Sequence, residues 1–302
     1  MRQKLISVAL ATCNGEKFIR EQLNSILWQT YPNFEIVIAD DCSTDSTPEI
    51  LKEYAEKYPN VSIYPNVQKV GMVKNFEKAL RHCKGDFIAF ADQDDIWLPD
   101  KLQYLFSNID DNTTMIYHDS AYIDVNGNFM NKRASDYRKF ISGRNLFMMN
   151  ETSGLCIYGH ASMFCKTLLE KALPLCEHIS HDGWIIYIAM LEGNLKALPD
   201  AKVLYRQHGH NVSGGFHAGV KKTKKKHQKT NYVAQIEALL SILPETETEY
   251  RRFFESMKMY YANPTFTNRL KRLCLRLKYL NEVYAMLKRN SLRKAIRAIK
   301  RF

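Results

Sequence analysis

Apolar positions along the first hundred residues alternate between two spacings, and that alternation lays out the fold. Short, largely apolar runs at residues 5–11, 34–39, 61–64 and 87–91 read as strands; the last is unbroken and is flanked by Gly85 and Pro99. Between them the apolar side chains fall three and four apart, which is the helical spacing. Residues 17–28 place Ile19, Leu23, Ile26 and Leu27 on one face, and residues 72–83 do the same with Val73, Phe76, Ala79, Leu80 and Cys83. Thr47-Pro48 opens a helix carrying Ile50, Leu51, Tyr54, Ala55 and Tyr58, with proline suited to its first turn. Strand and helix in turn predict βαβ units with right-handed crossovers and a mainly parallel α/β sheet.

Past residue 91 the pattern loosens. It predicts a helix over 99–106, strands over 115–117 and 122–125 closed by Asn126-Gly127, helices over 168–173 and 184–191, and a strand pair at 195–198 and 202–206. Residues 128–159 carry no clear assignment. Residues 207–215 form a glycine- and histidine-bearing loop that reads as a mobile lid. A lysine run at 221–226 leads into helical patterns, first with Tyr232, Ile236, Leu239 and Leu243. After the break at Asn263-Pro264 comes a basic amphipathic helix with Leu270, Leu273, Leu277, Leu280, Tyr284 and Leu287; Ser291 caps a last helix with Leu292, Ile296 and Ile299.

Charge divides the chain in the same place. The net charge is +11, yet residues 217–302 hold 21 Lys and Arg against 6 Asp and Glu, or +15, leaving −4 for residues 1–216. We therefore expect one domain over 1–216 and a basic helical extension over 217–302. The extension suits an anionic membrane surface, or helices packed on the domain with their charges solvated. Nucleic acid is not an expected partner, because few aromatics interleave the basic run. Seven scattered cysteines without a Cys-x-x-Cys pair read as reduced thiols, mostly buried. The apolar run at 5–11 is too short for a secretory leader, and the run at 184–191 is too short to span a bilayer, so the expected location is cytoplasmic.

The candidate chemistry is acidic and sits at strand ends. Asp92, Asp94 and Asp95 directly follow the run 87–91, and carboxylates crowded at the carboxyl edge of an α/β sheet need a shared cation or proton. Asp40 and Asp41 end the second strand; they either accept hydrogen bonds from a ligand or organise their turn. Asp182 precedes the helix 184–191 as either a general base or a helix cap. No dinucleotide glycine fingerprint or P-loop follows a strand.

Three of these stretches, in this order, resemble family 2 glycosyltransferases of GT-A fold: Ala11-Thr12-Cys13-Asn14-Gly15-Glu16, Ala39-Asp40-Asp41-Cys42-Ser43-Thr44-Asp45-Ser46-Thr47 and Asp92-Gln93-Asp94-Asp95. Trp97, with Gly71-Met72-Val73-Lys74-Asn75-Phe76 upstream, is similar to the bacterial rhamnosyltransferase-like branch that builds surface polysaccharides. Where the family commonly has an aromatic residue, this chain has Cys13. The resemblance implies an inverting, Mg²⁺- or Mn²⁺-dependent sugar transfer from a UDP- or dTDP-linked donor to a saccharide or lipid-linked acceptor. It assigns Asp94 to the metal and Asp92 to metal or ribose; His208, placed by the sequence in the loop after the last strand, is a candidate for an additional metal ligand or a phosphate donor. Thr12, Asn14, Glu16, Asp40, Asp41 and Lys74 fall to the nucleotide, and Asp182 to the general base. Arg206 and His210 are expected in the lid over the diphosphate, and Asp95 and Trp97 at the acceptor or in the turn. The competing readings are a catalytically silent nucleotide-sugar-binding scaffold and a nucleotidyltransferase. The oligomeric state is left open.

Overall fold

The computed structural model describes residues 3–137, 139–149, 157–209, 211, 231–283 and 285. Its first half follows the predicted alternation: β1 (Ile6–Thr12), α1 (Ile19–Leu27), β2 (Phe34–Asp40), α2 (Thr47–Lys57), β3 (Val61–Pro65), α3 (Met72–His82) and β4 (Phe87–Ala91). Then come β5 (Ile96–Trp97), α4 (Lys101–Ser107), β6 (Met115–Ile123), β7 (Phe129–Arg133), β8 (Ser162–Cys165), α5 (Lys166–Ala172), α6 (His181–Glu192) and β9 (Leu195–Arg206). The sheet runs β3-β2-β1-β4-β8-β6-β9-β5, with β7 added on β6. Strands β3, β2, β1 and β4 are mutually parallel, as are β6 and β9. β8 is antiparallel to both β4 and β6, so β4 borders a parallel neighbour on one side only. The architecture is a mixed α/β sheet with helices on both faces.

Alternation along β1 divides the core: Val8 and Leu10 join Ile19, Leu23 and Leu51 on one face, while Ala9 joins Phe76, Phe90 and Tyr187 on the other. Two pairs of predicted strands are each a single strand. Residues 115–117 and 122–123 are both β6, and 195–198 and 202–206 are both β9. The middle of β6 is polar (His118-Asp119-Ser120) yet fully buried, its groups held by local bonds such as Ser120 N to Asp119 Oδ1 at 2.8 Å. β9 takes up Pro199-Asp200 through a shift of register between Tyr117↔Ala197 and Asp119↔Ala201.

Helices α7 (Tyr232–Ile242), α8 (Thr248–Ala262), α9 (Phe266–Lys278) and α10 (Leu280–Val283) follow. The predicted single helix beyond Pro264 is broken at Tyr279, and Tyr284, Leu287 and the Ser291 helix lie outside the described residues, as does the lysine run. Ile236, Leu239, Phe253, Phe254 and Met257 bury into the same apolar cluster as Trp184 and Tyr187 of α6. The Tyr187 hydroxyl donates to Leu239 O at 2.8 Å. Among the described cysteines Cys83 is buried and Cys274 exposed. No described helix is long and apolar enough to cross a membrane.

Candidate active site

The acidic run after β4 is spread apart by its middle residue. Gln93 accepts from Cys13 N at 2.9 Å and donates to Cys13 O at 3.3 Å, fastening the run to the end of β1. A side chain at Gly15 would meet Gln93 Oε1 at 2.6 Å, so glycine is needed there for this fastening. With Gln93 tied down, Asp92 and Asp94 contact different partners.

Asp94 meets His208. Its Oδ2 is 2.7 Å from His208 Nε2, and the imidazole stacks on Phe18 with ring centroids 5.4 Å apart. The last strand, β9, ends two residues earlier and so delivers His208 to this place. The oxygen and nitrogen donors converge as ligands of one hard or borderline cation would.

Asp92 meets His160, a residue to which the sequence pattern assigns no element. His160 Nδ1 lies 3.3 Å from Asp92 Oδ2 and 3.3 Å from Asp95 Oδ2, and its Nε2 lies 3.1 Å from Ser120 Oγ. Asp92, Asp95 and His160 together offer three ligand atoms within 4.8 Å of one another, though Asp95 and His160 are buried. Behind them the buried Lys101 donates to His160 O at 2.5 Å and lies over the Trp97 ring. Burial and the charges of Asp94 and Asp92 push the Asp95 carboxyl up to about 8, although His160 pulls it back. Burial also lowers Lys101 strongly, against the pull of Asp95 and Asp92. In Asp92 burial acts upward, but the contact and charge of His160 outweigh it and hold the carboxyl below its ordinary range. The wall behind the acids is therefore a shared-proton network, not a row of free charges.

Asp182 enters from α6. Ser180, not Asp182, caps that helix: its hydroxyl accepts from Gly183 N. Asp182 sits in the first turn, half-buried, where Oδ1 accepts from Gly183 N at 2.8 Å and Oδ2 from Gly159 N at 3.3 Å. Gly159 and His160 are consecutive, so one short turn holds Asp182 with its backbone and Asp92 with its ring. His181, stacked on Phe76 at 3.6 Å, is depressed by burial more than Asp182 and Asp92 raise it.

The remaining expected residues divide into loop fasteners and surface groups. Asp40 accepts from Thr12 Oγ1 at 2.8 Å and from Ser43 N at 2.9 Å; Asp41 accepts from Val70 N at 2.7 Å and Gly71 N at 2.9 Å. Asn14 Oδ1 accepts from Thr44 N, and Glu16 from Ser46 N. These side chains lock the β1–α1 loop to the β2–α2 loop, and Asn75, buried, donates to both Thr12 O and Ala39 O. Lys74 is turned outward, paired with Glu177 at 2.8 Å.

One expectation needs correction. Arg206 is a fixed post rather than part of a lid. It is 2 % exposed, its backbone N donates to Asp95 Oδ1, Nε donates to Asp94 O at 2.9 Å and Nη1 to Val125 O at 3.2 Å, and it pairs with Glu21. Asp95 and Trp97, at 0 % and 2 % exposure, belong to the turn and present nothing to an acceptor. His210 and most of the loop after it lie outside the described residues.

Comparison with known proteins bears on the family and the fold. A family model described as glycosyl transferase family 2 matches residues 7–173. An uncharacterized glycosyltransferase of Nostoc sp. is 29 % identical over 68 % of the chain and 66 % of its own length, just under two thirds. A dTDP-rhamnosyl transferase, RfbG of Shigella flexneri, is 31 % identical over 68 % of the chain and 73 % of its length. An Escherichia coli enzyme, UDP-Glc:alpha-D-GlcNAc-diphosphoundecaprenol beta-1,3-glucosyltransferase WfgD, is 30 % identical over 47 % of the chain and 56 % of its length. Among solved structures, residues 1–349 of TarS from S. aureus, in complex with UDP-GlcNAc, superpose with TM-score 0.61 at 18 % identity, covering 93 % of this chain and 82 % of that one. The mannosyltransferase PcManGT of Pyrobaculum calidifontis, with GDP-Man and Mn²⁺, gives 0.54 at 16 % identity over 100 % of this chain and 75 % of that one. At these identities the structural likeness speaks for the fold.

Proposed function

The chain belongs to glycosyl transferase family 2, and from that premise we propose that it is a divalent-metal-dependent inverting glycosyltransferase. It moves a sugar from a UDP- or dTDP-linked donor to a saccharide or lipid-linked saccharide in bacterial surface polysaccharide synthesis, working at the cytoplasmic side where such donors are made. The names of the rhamnosyl and glucosyl relatives, one with a lipid diphosphate acceptor, support these donor and acceptor classes. The observation that carries the proposal is the turn Gly159-His160, which joins the candidate base Asp182 to Asp92 of the Asp92-Gln93-Asp94 motif.

Each residue then has a task. Asp94 and His208, with Asp92, have the donor set for Mg²⁺ or Mn²⁺, and the bound ion would supply positive charge to the diphosphate. The interlocked β1–α1 and β2–α2 loops form the floor for the nucleoside. Asp182, its carboxylate oriented by two backbone N–H groups, takes the proton of the acceptor hydroxyl as that oxygen attacks the anomeric carbon. With the base acting on the acceptor, the acceptor oxygen displaces the diphosphate directly and no covalent sugar forms on the enzyme.

The test is a thermal-shift screen of UDP-, dTDP- and GDP-sugars with and without Mn²⁺, followed by assay of slow donor hydrolysis. Binding stabilises in proportion to RT ln(1 + [L]/Kd), so the preferred donor should raise the melting temperature only when metal is present. Absence of any metal-dependent shift and of any hydrolysis would overturn the reading.

A further inference from the structure

Helix α9 packs Leu273 and Leu275 partly against the core and turns Arg272 and Arg276 inward beside them, which leaves a second apolar stripe facing outward. Arg272 and Arg276 are buried, Arg272 over the Tyr261 ring at 4.5 Å and Arg276 donating to the Tyr261 hydroxyl at 2.6 Å. Outward point Phe266 at 72 % exposure, Leu270 at 46 % and Leu277 at 39 %, with exposed Cys274 between them. Their spacings of four, four and three make one stripe along the helix. At 100° per residue Arg269 falls on one side of that stripe and Lys271 and Lys278 on the other, all three exposed. The helix has five basic residues and no acidic one.

We propose that this stripe is a docking surface for an anionic lipid bilayer, with the apolar side chains in the headgroup region and the flanking Arg269, Lys271 and Lys278 on lipid phosphates. Charge selects the occupant. A second copy laid stripe to stripe would bring basic rim against basic rim. The chain's own last residues, 286–302, carry seven Lys and Arg and no acid, so they too are repelled by the rim and attracted by the same surface. Tyr261 takes Arg272 and Arg276 on the inner side, so Leu270 and Leu277 stand on the outer side, free of the core that holds Leu273 and Leu275. This surface lies outside the candidate active site and does not depend on the transfer chemistry, though it would bring the enzyme to a lipid-linked acceptor.

The experiment is flotation of the full chain with vesicles of phosphatidylcholine alone and of phosphatidylcholine with phosphatidylglycerol, at low and high salt. We expect flotation only with the anionic vesicles and weakening by salt. Partitioning should fall at least about tenfold in Leu270→Gln/Leu277→Gln, and likewise in Arg269→Gln/Lys271→Gln/Lys278→Gln. Both variants alter exposed positions and should melt with the wild type. A second readout needs no variant: alkylation of native Cys274, followed by mass spectrometry, should slow with anionic vesicles and not with neutral ones. Wild-type protein that stays in solution with anionic vesicles, or leucine variants that float undiminished, would overturn the docking surface. So would a concentration-dependent dimer by sedimentation that the leucine variant abolishes. Transfer to a water-soluble acceptor should be equal in all these proteins, so loss of docking and loss of the proposed activity remain distinguishable.

Discussion

At the level of single residues the site depends on atoms that carry no charge. A Cβ at Gly159 would lie 3.1 Å from Asp182 Cβ, so a side chain there makes Asp182 give by a small shift. Gly159→Ala should therefore lower turnover, by less than the roughly hundredfold that a displacement near 1 Å causes. Asp182→Asn removes the base itself and should lower kcat by about 10²–10⁴. In both variants the metal-dependent thermal shift with donor should persist, because neither residue touches Asp94 or His208; Asp182→Asn with near-normal turnover would remove Asp182 from the mechanism. His208→Ala makes the opposite prediction. It should raise the Mn²⁺ concentration giving half-maximal activity about tenfold or more, and unchanged metal titration would rule out ligation.

At the level of elements, the strand ends that carry the candidate site are the ones whose sequence is easiest to read. β2 and β4 are mostly apolar, and the acids that end or follow them stand out because nothing apolar interrupts them. The turn bearing His160 has no such signal: Gly159 and Ala161 are small, and the ring earns burial only through partners on β4 and β6 that are distant in sequence. β6 and β9 were divided by their polar middles for the same reason, since the bonds that satisfy Asp119 and Ser120 are local and tertiary, not periodic. The predicted strand 202–206 already reaches Arg206; what the pattern does not show is that its guanidinium turns inward to join Asp94 O, Val125 O and Glu21. A lysine there reaches one acceptor at a time. Arg206→Lys should cost about 2 kcal/mol in urea unfolding and also weaken donor binding, because Asp94 loses its backbone anchor. A variant with wild-type stability would show that the post is dispensable.

Across the whole molecule, charge composition divides the chain near residue 216, whereas packing joins what lies on either side. Phe253 and Phe254, at 1 % and 0 % exposure, share one apolar cluster with Trp184, Ile185 and Tyr187, whose helix begins with His181 and Asp182. Arg144 pairs with Glu247 at 2.8 Å, and Gln235 donates to His178 O at 2.6 Å, close before the α6 cap. Helices α7 and α8 thus support the helix that presents the candidate base, while α9 shows Leu270 and Leu277 to the outside. The two roles separate by mutation. Phe254→Ala leaves a cavity in the shared cluster and should cost about 3–5 kcal/mol. If the helices and the sheet form one cooperative unit, the loss appears as a lower midpoint of a single urea transition followed both by tryptophan fluorescence and by far-ultraviolet circular dichroism, with activity lost in step. Leu270→Gln, on the exposed stripe of α9, should leave that transition where it was. Two transitions in Phe254→Ala, with the sheet melting at its wild-type midpoint, would instead make residues 217–302 an independent unit that merely rests on the catalytic domain.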